Sequence, residues 1–100
     1  MLEPGSIEQM ARDHLADLPD RSENALTIGP WTVPGGHGLG FAVHQTESPI
    51  GPSRRLFWYG IASTLFWIDT EHDLIGIYLV QHQPFEMGLG NRFRELSYEA

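Results

Sequence analysis

The chain contains no cysteine and no lysine. Without cysteine there is no disulfide framework and no thiolate metal site, and cysteine usage leaves the redox compartment open. Without lysine, all positive charge rests on six arginines: Arg12, Arg21, Arg54, Arg55, Arg92 and Arg94. Set against 13 aspartates and glutamates, they leave a net charge of −7. An acidic chain with scattered arginines argues against nucleic acid and anionic membrane as partners. Long apolar runs are also missing, and none approaches the ~20 residues of a membrane span. The first residues, MLEPGSIEQMARDHL, lack the basic-then-apolar order of a signal peptide. A soluble chain is expected, with the cytoplasm as the default compartment. One hundred residues, 41% apolar and 19% charged, allow one small domain with a modest core.

What the chain does have is one strongly apolar stretch, Phe57 to Gln81, rich in aromatic and β-branched residues. That composition favours strands. Two punctuation points divide it. Gly60–Ile61–Ala62–Ser63 is a run of mostly small residues, and Asp69–Thr70–Glu71–His72–Asp73 is polar. Both read as hairpin connections. Three sequential antiparallel strands follow: roughly Leu56–Ile61, Ser63–Ile68 and Leu74–Gln81. Leu65 to Ile68 and Ile77 to Val80 run without alternation, a pattern of strands covered on both faces.

The flanks complete the fold class. Ile7, Met10, Ala11, His14, Leu15 and Leu18 recur at helical spacing, predicting a helix over Pro4–Leu18 with its apolar face on the sheet. Ser6 and Gln9 have the spacing of a capping box. Asp20 to Pro34 reads as a connector, with Pro30 and Pro34 as breakers. Four glycines, Gly35, Gly36, Gly38 and Gly40, open a strand placed at Leu39–His44, whose small face (Gly40, Ala42, His44) invites close approach. Glu47–Ser53 reads as a loop. Phe85 to Ala100 returns to helical spacing, with Met87, Leu89, Phe93, Leu96 and Tyr98 as candidates for the buried side. The expected class is α+β: an antiparallel sheet of about four strands, with both terminal helices on one face and the other face and one edge bare.

Several patterns that carry chemistry elsewhere have plainer readings here. His37, His44, His72 and His82 are dispersed, with no metal-ligand spacing. GGHGLG lacks the spacing of a phosphate loop and opens a strand rather than a helix. Arg54–Arg55 reads as a solvated pair beside a loop. Asp69, Glu71 and Asp73 read as turn chemistry at a hairpin tip. No cofactor and no metal are expected.

Three features give the chain a resemblance to the C-terminal part of the serine β-lactamase and penicillin-binding-protein superfamily, closest to the class C-like CubicO group. Gly36–Val43 is similar to a family GxGxGFxV segment. Trp58-Tyr59-Gly60 is similar to the third active-site motif, in which Lys, His or Trp is followed by any residue and Gly. Thr64 to Ile75 is similar to a family pattern T-x-F-W-I-D-P-E-x-D-L-I. The resemblance implies that residues 1–100 are a single partial domain, the C-terminal portion of such a hydrolase. In these enzymes a serine forms an acyl intermediate with an ester, amide or β-lactam. It implies that Trp58, Tyr59 and Gly60 line the acyl-substrate cleft and that the Ile61 N–H is one oxyanion donor.

The departures bear on activity. With no lysine there is no Ser-x-x-Lys motif. Nor is there a Tyr-x-Asn motif: Ile61, Val80 and Ala100 stand two residues after Tyr59, Tyr78 and Tyr98. Tyr59 replaces the usual small residue of the motif, Ser63 a family Gly, and Thr70 a family Pro. The chain alone is therefore expected to be inactive, its partner being the rest of the hydrolase domain. The alternative is a stand-alone, non-catalytic module that dimerises or binds a partner protein through its open sheet, with Phe57, Trp67 and Tyr78 as anchors.

Overall fold

The structure is a computed structural model and describes residues 1–17, 25–28, 31–34, 36–44 and 55–100. The loop expected over Glu47–Ser53, Arg54, and the polar part of the expected connector, 20–24, lie outside the described residues. The described chain is α+β, an open five-stranded antiparallel sheet with helices towards both termini. The elements are α1 (Pro4–Ala11), β1 (Ala25–Ile28), β2 (Trp31–Pro34), β3 (Gly36–His37), β4 (Ala42–His44), β5 (Arg55–Tyr59), β6 (Leu65–Asp69), β7 (Leu74–Tyr78) and α2 (Gly88–Glu99). The sheet runs β3-β4-β5-β6-β7 in chain order, and β1 and β2 form a separate hairpin whose first strand lies beside β3.

The aromatic and β-branched stretch folds as the three expected sequential strands, β5, β6 and β7, though each is shorter than predicted. Hydrogen bonding at the first turn sets the limits. Gly60 N–H donates to Thr64 O at 2.9 Å and Ser63 N–H to Gly60 O at 3.0 Å, so residues 60–64 form the connection. At the second turn Asp69 Oδ1 accepts from the N–H groups of Glu71, at 2.9 Å, and His72, at 3.1 Å. This is the turn chemistry expected of that polar cluster. Asp73 closes the turn with φ 50, a conformation that aspartate tolerates better than most residues.

The glycine-rich segment makes two strands where the sequence pointed to one. Gly36–His37 pairs with Ala42–Val43, and Leu39 to Phe41 form the turn between them rather than the start of a strand. Gly38 N–H donates to Phe41 O at 2.9 Å, and Gly40 supplies the positive φ, +97°, that other residues avoid. The expected connector likewise contains a hairpin, with Ile28 opposite Trp31. Leu26-Thr27-Ile28 and Trp31-Thr32-Val33 are strand formers by type, and Gly29 and Pro30 between them are turn formers.

The N-terminal helix departs furthest from expectation. It stops at Ala11, not Leu18, and buries none of its side chains. Ser6 is not its cap. Glu3 is, and Pro4 fills the first turn, where a missing N–H costs nothing. No capping box forms. The N-terminal segment acts through its main chain instead. Leu39 N–H donates to Met10 O at 3.1 Å and His14 N–H to His37 O at 2.9 Å. Asp13 Oδ1 accepts from His37 N–H at 3.0 Å. The segment 10–14 thus ties down β3.

α2 covers one face of the sheet. Its core is Ala42, Phe57, Leu65 and Trp67, with Trp58, Tyr59, Tyr78, Met87 and Tyr98 packed around it. The side of α2 turned to the sheet differs from the prediction. Gly90 and Arg94 are buried, Met87 and Tyr98 half-buried, and Leu89, Phe93 and Leu96 exposed. The sheet surface under its C-terminal half is polar, presenting buried Arg55 and Asp69, so polar residues of α2 face it. On the opposite face, Ile75 and Ile77 of β7 are exposed. Cover on both faces does not extend to β7 among the described residues.

Candidate functional site

Alternation along β5 separates the side chains that the sequence grouped together. Phe57 and Tyr59 lie on the α2 side. Their rings meet edge to face at 5.5 Å, and Tyr59 meets Phe85 at 6.1 Å. Trp58 points to the other side. It is half-buried, opposite Phe66 in the ladder, with the His37 ring edge to face at 5.6 Å. Trp58 and Tyr59 nonetheless both pack against the core cluster. The space beside Gly60 where a Cβ would sit is taken by the Thr64 side chain, so the turn itself accounts for a glycine there.

Ile61 is at the tip of this turn and is exposed. Among the described residues its N–H has no acceptor, since the turn is closed by the N–H groups of Gly60 and Ser63. A main-chain donor so placed can meet an incoming oxygen. His37 is a neighbour the sequence did not single out for this wall. Its Nδ1 bonds Gly38 O at 2.7 Å. The carbonyl can only accept, so Nδ1 is the donor. Nothing but a histidine in a glycine-rich segment signalled this contact.

Among the described residues no reacting group accompanies the donor. Ser63, two residues on, is buried, and its hydroxyl is fully occupied. Its Oγ donates to His82 O at 3.0 Å and accepts from Glu86 N–H at 2.9 Å. It holds the 82–86 segment and has no base beside it, as a nucleophile requires.

A second cluster, buried beneath α2, is electrostatically tight but closed to solvent. Arg55 stands directly across the ladder from Asp69. Tyr98 donates to Asp69 Oδ2 at 2.6 Å, and the His72 ring meets Tyr98 edge to face at 5.7 Å. Burial pushes the Asp69 carboxyl up, but the Tyr98 hydroxyl and the turn N–H groups outweigh it and hold the carboxyl below its ordinary range. Burial, together with the bond to Asp69, pushes the Tyr98 phenol up to about 12. Burial and neighbouring Arg94 lower Arg55. Asp69 is 1% exposed and Arg55 2%, so the cluster anchors α2 rather than meeting a ligand.

Among the described residues no group of three or more histidines, aspartates and glutamates could hold a metal ion. No helix among them is long and apolar enough to cross a membrane. Two of the three suggested partner anchors, Phe57 and Trp67, are buried in the core and cannot reach a partner. Comparison with protein-family models, with curated proteins and with solved structures finds no match to the chain.

Proposed function

We propose that the chain is the C-terminal portion of a serine hydrolase domain of the β-lactamase and penicillin-binding-protein type, of the class C-like CubicO group. In this reading the whole enzyme opens an ester, amide or β-lactam through an acyl-serine, and residues 1–100 supply one wall of its cleft. The observation that carries the reading is the Gly60–Thr64 turn. It presents the Ile61 N–H, without an acceptor among the described residues, at the end of the strand bearing Trp58. Trp58 then borders the acyl group, and Ile61 N–H is one of two donors to the developing oxyanion. The serine, its lysine and the tyrosine belong to sequence outside these residues. An oxyanion donor without a nucleophile contributes little turnover.

The test joins two measurements: the intact mass of the protein made from its native gene, and hydrolysis of p-nitrophenyl esters and a chromogenic β-lactam. The expected result is a native product several times heavier than this chain, labelled on serine by a fluorophosphonate, with the 100-residue chain inert. Turnover by the 100-residue chain itself would overturn the reading. A native product of this chain's mass would favour the second one, a non-catalytic module that works by association. The specific observation behind that alternative is β7, which among the described residues pairs only with β6.

A further inference from the structure

The two edges of the sheet are treated differently. β3, at one edge, is tied by the main chain of His14 and the carboxylate of Asp13, with β1 beside it. β7, at the other, has among the described residues a ladder partner on one side only. Exposed edges are normally blunted by charge, proline or a bulge. From Leu74 to Val80 the sequence is LIGIYLV, with none of these. Apolar side chains flank the edge on both sides. On one face Ile75, Ile77 and Leu79 are 67%, 60% and 79% exposed. On the other, Phe93 rests on Tyr78 and Trp67, so α2 lies along β7. Leu89, Phe93 and Leu96 are exposed there at one-turn steps. These six residues offer on the order of 700 Å2, close to the ~800 Å2 per partner of a standard interface.

On the second of the two readings above, a stand-alone module, we infer that β7 is the dimer edge of this chain, pairing antiparallel with β7 of a second copy about a two-fold axis. The surface suits itself in this arrangement. A two-fold axis brings each patch against its own copy. It continues the sheet to ten strands, sets the Ile75–Ile77–Leu79 rows side by side on one face, and brings the two α2 stripes together on the other. Charge favours the antiparallel sense. Glu71 and Asp73, just before the strand, then face the Gln81–His82 end of the other copy, whereas parallel pairing stacks the two acidic turns.

Sedimentation equilibrium of the 100-residue chain over a range of concentrations tests this, with hydrogen exchange on the same samples. The expected result is a reversible monomer–dimer equilibrium, with added protection in the dimer at the β7 amides that do not bond to β6. Ile77→Lys and, separately, Leu79→Lys each weaken the dimer by about tenfold or more. Leu39→Lys, at an exposed apolar residue in the β3–β4 turn, leaves it unchanged. The Leu79 variant lies outside the ladder, so it reports even where a charge at Ile77 costs folding. A chain monomeric at every concentration overturns the inference. So does an assembly that both edge variants leave intact, or one that Leu39→Lys weakens as much.

Discussion

At Gly76 the ring of Trp67 fills the space that a Cβ would take, and Trp67 is the fully buried centre of the core. Gly76→Ala must displace that ring and is expected to cost about 2 kcal/mol, read as a lower urea midpoint with an unchanged slope. Ser63 poses a different problem. It holds φ at 66°, where a non-glycine residue costs roughly 1–2 kcal/mol, while its hydroxyl ties His82 to Glu86. Both Ser63→Ala and Ser63→Gly lose the two bonds, but only glycine relieves the backbone. Both variants should be less stable than the native chain, with the glycine variant the better of the two by about 1 kcal/mol in the same titration. A serine at this conformation was not readable from neighbouring residue types, because its compensation comes from a segment some twenty residues on.

Among the elements, α2 depends on the contact between Tyr98 and Asp69. Tyr98→Phe leaves Asp69 Oδ2 buried without its donor and is expected to cost about 2 kcal/mol. The pH dependence has two limits. The folded state holds Asp69 below its ordinary value. Its contribution is therefore complete above the unfolded carboxyl value, near ~3.9, and is lost as pH falls below it. Tyr98 is raised from 10.0 to about 12, so its contribution is complete below pH 10 and is lost as pH rises towards 12. Chemical denaturation across that alkaline range should show the decline in the native chain and not in Tyr98→Phe. The central strands and the Asp69 turn were legible because aromatic and β-branched runs and turn formers act locally. On α2 the inward Met87 and Tyr98 were legible from helical spacing, but the burial of Arg94 was not, because it faces inward only once Arg55 and Asp69 are brought together across the sheet. β3 was hidden for the same reason: two residues become a strand only by pairing with β4 and being held by Asp13.

For the molecule as a whole, the sequence yielded the α+β class and the hairpin connection at 60–63. The N-terminal helix adds little to the whole. α1 buries no side chain, and cutting the chain after Gln9 leaves intact the bonds of Asp13 and His14 to β3 and of Met10 to Leu39 in the turn after it. That truncation should lower stability by less than about 1 kcal/mol, and limited proteolysis should clip this region first. The order β3-β4-β5-β6-β7 has a kinetic meaning too. Each ladder joins strands that are consecutive in the chain, so no strand waits for a distant segment, and each pairing closes a comparatively short loop. The β5–β6–β7 meander can assemble by itself and receive its neighbours one at a time. Refolding after rapid dilution from urea should accordingly be fast for a sheet protein, on the order of milliseconds.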